Sequence, residues 1–175
     1  MLLSESPPQI EFHTIPDGAG GTRATLRLMS QVVKQARADP VIRDTAADLV
    51  LGCSPGDYRG EVECLFEFVR DNIRYLQDTN GLERLEYPTI LLKTKQGDCD
   101  DKATLLAALL ESIGHPARFV AVGYQQPGEF EHVYVETRIG SNWIAAETTL
   151  NVDLGWAPVP PNVDQAIICK MIEHI

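Results

Sequence analysis

The stretch QGDCDDKATLLAALLESIG, residues 96–114, constrains this chain more than any other. Ala103, Leu106, Ala107, Leu110 and Ile113 recur at helical spacing. Gly114 marks the stop, with Pro116 just beyond. Asp98 suits the N-cap, which puts Cys99 in the first helical turn. A thiol there feels the positive end of the helix dipole and unpaired backbone N–H groups, both of which favour thiolate. Asp98, Asp100 and Asp101 oppose that shift, so a nucleophile at this position needs a base. The plainer reading of Cys99 is a small buried hydrophobe that opens a core helix.

The following stretch shifts that balance. Residues 117–124 read as a strand, and Pro127-Gly128 as a turn. In residues 130–139, His132, Tyr134, Glu136 and Arg138 alternate with Val133, Val135, Thr137 and Ile139. A Gly-Ser-Asn turn then leads to a third strand over 142–150, which carries Glu147. A cysteine at a helix start, a histidine on one strand and an acid on the next is a Cys–His–carboxylate order suited to nucleophilic catalysis.

Three separated motifs occur in order: GDCDDKATLLAALLESIGHPARFVAVGY, then HVYVE, then WIAAETT. Together they resemble the transglutaminase-like superfamily of papain-type cysteine enzymes, over about half the chain from near Tyr75 to Leu150. The resemblance implies Cys99 as nucleophile, His132 as base and Glu147 as the orienting acid, where the family more often has Asp. It implies an α+β fold: N-terminal helices and a Cys-bearing central helix packed on an antiparallel β-sheet. It also implies attack on an amide or ester carbonyl of a protein or peptide through a thioester, with hydrolysis favoured over amine transfer and no metal or other cofactor. Gln96 is the nearest candidate for a second oxyanion donor beside the Cys99 N–H. Tyr75, Asp78 and Tyr87 fall where the family lines the approach to the nucleophile, although exposed loop residues are the simpler reading. Trp156 either walls the cleft or covers the core edge.

A net charge of −10 and a pI near 4.8 exclude the basic stripe that a nucleic-acid partner requires. No apolar run approaches the ~20 residues of a membrane span. The first residues lack a basic, signal-like n-region, so the expected location is cytoplasmic, with incorporation into a virion compatible. The four cysteines show neither C-x-x-C nor zinc-ligand spacing, and all are expected as thiols, with Cys64 on the apolar side of its helix.

The 175 residues suit one domain with four parts. Residues 1–21 form an arm and 22–56 a helical extension. Residues 57–155 form the catalytic core and 156–175 a tail. The expected helices are 22–38, capped by Thr22 or Thr25, then Pro40 to about Leu51, 57–73 and a short one over 88–95. Trp156, Pro158, Pro160 and Pro161 mark a stiff extended segment; residues 163–175 read equally as strand or short helix, and Ile167, Ile168, Met171 and Ile172 would bind a partner if exposed. The arm, the Pro-rich segment and the apolar tail support an alternative, a non-catalytic subunit of a larger assembly. The LGWAP ending resembles phage-encoded proteins, which points that reading toward a particle or tail component.

Overall fold

The computed structural model describes residues 18–77, 85–158 and 169–175. The elements run α1 (Gly18–Ala36), α2 (Pro40–Val50), α3 (Tyr58–Asn72), β1 (Arg74–Tyr75), α4 (Pro88–Thr94) and β2 (Gln96–Gly97). They continue through α5 (Cys99–Ser112), β3 (Ala117–Gly123), β4 (His132–Ile139), β5 (Asn142–Ala146) and β6 (Cys169–His174). The fold is α+β, as expected. Its main sheet is antiparallel with strand order β5-β4-β3-β6.

The sequence pattern singles out one apolar face of α5, but the helix is buried on every side. All ten residues from Asp101 to Leu110 are buried. Helices α1, α2, α3 and α4 pack around α5, and β3 and β4 close the remaining side. A helix without a solvated face is the product of such enclosure. Leu105, Leu106, Leu109 and Leu110 are fully buried, each contributing roughly 1.5–3 kcal/mol of hydrophobic stabilisation. The sheet supplies its alternate residues to this core: Phe119 and Ala121 from β3, Val133 and Val135 from β4, Met171 from β6. Val120, Val122, Tyr134 and Ala145 form a smaller cluster on the other face.

Enclosure forces the polar groups of α5 to find partners inside. Lys102 is buried, and its Nζ donates to Ile73 O at 2.6 Å and Arg70 O at 3.3 Å. These carbonyls lie at the C-terminal end of α3, where a cation complements the helix dipole. Burial pushes the Lys102 ammonium down to about 8, against the opposing pull of the Glu147 and Asp71 carboxylates.

The start of α5 is a reciprocal capping box. Asp98 accepts the Asp101 N–H at 3.1 Å, and Asp101 Oδ2 accepts the Asp98 N–H at 3.3 Å. Asp101 Oδ1 also takes the Glu86 N–H at 2.7 Å, tying in the chain that enters α4. Gly97 is required here because Asp101 lies against it. A β-carbon on Gly97 would stand 2.7 Å from Asp101 Cβ and 2.8 Å from Leu91 Cδ1.

Several expectations need correction. Helix α1 begins at Gly18, so Thr22 lies inside it, its Oγ1 donating to Gly18 O rather than capping. The third strand of the meander ends at Ala146, and at the end of the tail Cys169–His174 form a strand, β6. Met171 is turned into the core and Ile172 is exposed; Ile167 and Ile168 lie outside the described residues. Cys64, whose place on the apolar side of its helix predicts a core residue, is only half-buried. The two-residue parallel pair β1–β2 is too short for any period to reveal.

Gly97→Ala should overpack the capping box. We expect urea denaturation to show a loss of about 1–3 kcal/mol, while Gly114→Ala, whose new methyl meets open space, fails only through its positive φ of 95°.

Candidate active site

Cys99 is held by the capping box at the first turn of α5 and is half-buried. Its Sγ donates to Asp100 Oδ1 at 3.5 Å. Burial, reinforced by the Asp100 and Asp98 carboxylates, pushes the thiol well above its ordinary value. The backbone N–H of Val133 lies against the sulfur and pulls the other way. The thiol therefore reaches β4 one residue along from His132.

His132 opens β4 on the sheet face that carries Tyr134, and the two rings stack with centroids 6.4 Å apart. Its Nε2 is hydrogen-bonded to Glu147 Oε2. Glu147 has no solvent exposure and follows directly on β5. Its other oxygen accepts the Thr149 N–H and the Thr149 hydroxyl, each at 2.6 Å. Burial alone would raise this carboxyl. The hydrogen bond to His132, the imidazole's charge and the two Thr149 donors outweigh it, so the carboxyl is held below its usual range. The imidazole and the acid are thus assembled, with Glu147 as the partner of His132. The thiol and the imidazole reach the same end of β4, and no hydrogen bond joins them in this structure.

The weaker candidates divide. Tyr75 pairs with Gly97 across β1–β2, which brings it beside the helix start. Partial burial raises its phenol, and Cys99, Asp98, Asp100 and Glu147 add to the effect. Gln96 sits in β2 with its side chain exposed. Tyr87 precedes α4 and packs against the main core, where Asp39 is the charge that its phenol feels. It belongs to the helical side, not to the site. Trp156 is half-buried beyond a turn that the Gly155 N–H pins to Ala145 O at 2.8 Å; among the described residues no hydrogen bond or ring contact links it to Cys99 or His132. Asp78 lies outside the described residues.

A cleft of roughly 480 Å³ opens beside the acid, between the end of α3 and the loop after β5. Ile73, Tyr75, Lys102, Thr148, Thr149 and Leu150 line it, while Cys99 and His132 do not. Asp100 opposes the thiolate as its place beside Cys99 implies, while Thr149 and the Val133 N–H went unread as site groups. Of these two only Thr149 left a sequence signal: a hydroxyl residue two after an acid can bond back to it through side chain and backbone. Among the described residues no cluster of three or more metal-ligating side chains occurs, and no helix is long and apolar enough to cross a membrane.

No curated protein sequence matches the chain. Among solved structures, a candidate protease from Parabacteroides distasonis superposes with a TM-score of 0.56 at 16% identity, over 71% of this chain and 26% of its own. A candidate cysteine protease from Cytophaga hutchinsonii gives 0.51 at 18% identity, over 77% of this chain and 46% of its own. Calcium-bound LapG from Legionella pneumophila gives 0.51 at 14% identity, over 73% and 76%. These likenesses concern the fold. The chain spans less than half the length of the first two proteins. The family description of the transglutaminase-like superfamily matches residues 43–148. That match covers more than half of the sequence and takes in Cys99, His132 and Glu147: the chain belongs to the transglutaminase-like superfamily.

Proposed function

We propose that this protein is a cysteine-dependent hydrolase acting on an amide or ester carbonyl of a protein or peptide. The observation that carries this reading is the hydrogen bond between His132 and the fully buried Glu147, at the strand end reached by the Cys99 thiol. A buried carboxylate that accepts from Nε2 fixes the tautomer and leaves Nδ1 as the base.

In this scheme the substrate displaces the thiol from Asp100. The thiol proton passes to His132 Nδ1 and the sulfur attacks the carbonyl carbon. The negative charge on oxygen is met by the Cys99 backbone N–H, which has no acceptor within the helix, and by the Gln96 amide as second donor. Collapse expels the amine or alcohol, which takes the proton back from imidazolium. Water, deprotonated by the same nitrogen, then cleaves the thioester. Tyr75 stands on the substrate side.

The raised thiol and its bond to Asp100 favour the second reading, a non-catalytic assembly subunit. Turnover separates the two: wild type should hydrolyse members of an acyl-amide and ester probe library, and Cys99→Ser should hydrolyse none. A wild type inert toward the whole library would favour the subunit reading.

Glu147→Gln keeps the side chain's size but permits the wrong imidazole tautomer. Turnover should fall by about 10²–10⁴-fold, with a melting temperature within a few degrees of wild type near neutral pH. The folded carboxyl titrates below its ordinary value of 4.5. Its stabilisation is therefore present above that pH and is lost as pH falls through the lower folded value. Acid unfolding of Glu147→Gln should lack this component.

The thiol titrates above its ordinary 9.0, so at neutral pH its thiolate fraction lies below that of a free thiol. Alkylation of Cys99 by iodoacetamide should climb with pH through and beyond 9.0. Asp100→Asn removes a repelling charge and should speed the neutral-pH reaction by about 3–10-fold. An unchanged rate would show that Asp100 does not restrain the thiol.

A further inference from the structure

Away from Cys99, two further thiols face one another. Cys53 Sγ and Cys64 Sγ lie 3.5 Å apart. Cys53 sits in the turn after α2, its N–H donating to Val50 O at 2.9 Å, and Cys64 lies on α3. Both are half-buried, so a small oxidant can reach them. A disulfide needs the sulfurs to close to about 2.05 Å, a movement of roughly 1.5 Å. The turn can supply it. Gly52 and Gly56 flank Cys53 with open space around them, and only the turn backbone stands between α2 and the Asp57 cap of α3. The contact with Cys64, then burial and the Asp57 and Glu61 carboxylates, push the Cys53 thiol up to about 11, so attack by its thiolate quickens as pH rises.

We propose that Cys53 and Cys64 form a reversible intramolecular disulfide, a redox modification site independent of Cys99. The oxidant is a low-molecular-weight disulfide of the glutathione class. One protein thiolate attacks it, forming a mixed disulfide and releasing one glutathione thiolate. The second protein thiolate attacks the protein sulfur of that mixed disulfide and releases the other. Two protein thiols lose two protons and two electrons, and one glutathione disulfide becomes two thiols. The bond closes a loop of about a dozen residues and raises the melting temperature by roughly 5–10 °C.

The test is peptide mapping without reduction after the full chain is held in excess oxidised glutathione. Cleavage after Arg43, Arg59 and Arg70 puts the two cysteines on separate peptides, so closure appears as one cross-linked species. The expected result is that species in wild type and in Cys99→Ser, reversed by dithiothreitol, together with the higher melting temperature. Cys53→Ser should instead hold a glutathione adduct on Cys64. Persistent adducts or unmodified thiols at both positions in wild type, or a bond from either one to Cys99, would overturn the proposal.

Discussion

The buried Asp101 carboxylate is the constraint on which the site depends. It takes N–H groups from Asp98 and Glu86, and it occupies the space that a side chain at position 97 would need. One side chain therefore fixes the start of α5, the entry to α4 and the approach of β2, which positions Tyr75 through β1. Burial is the main reason its carboxyl is pushed up to about 7, with the two accepted N–H bonds opposing. Its two backbone donors offset part of the desolvation of so enclosed an acid.

The same construction sets a conflict at Cys99. A helix start favours thiolate, but the cap that defines this one is made of aspartates. Here burial and the carboxylates win over the dipole and the Val133 N–H, and the thiol stays protonated. The positive charge that could reverse this is an imidazolium, and Glu147 is placed to stabilise one. In the proposed chemistry, nucleophile and base become an ion pair only as substrate excludes water, in keeping with the long hydrogen bonds of many resting active sites.

The sequence was legible where short-range physics decides. The Asp98 cap, the Pro40 start of α2 and the strand that begins at His132 follow from local rules. What escaped depends on contacts between distant segments. Ten consecutive buried residues on α5 cannot be read from a periodicity that marks one face, because α1 and α2 cover the other. Lys102 looks like a solvated residue until the end of α3 supplies its carbonyls. Tyr75 gains its place beside the thiol through a two-residue parallel pairing, while Tyr87, equally plausible by position, is drawn to the helical core. The pairing of Cys53 with Cys64 arises from a turn and a helix that no spacing rule connects.

The central claim is that Cys99 carries a covalent acyl intermediate and that His132 acts in forming it. The most direct measurement is intact mass after rapid mixing with a reactive ester and acid quenching, followed by peptide mapping. A transient adduct of the acyl group's mass on the Cys99 peptide, absent from the other cysteines and strongly diminished in His132→Ala, is the predicted result. An adduct spread over Cys53, Cys64 and Cys99 alike and indifferent to His132→Ala, or none at all, would contradict it.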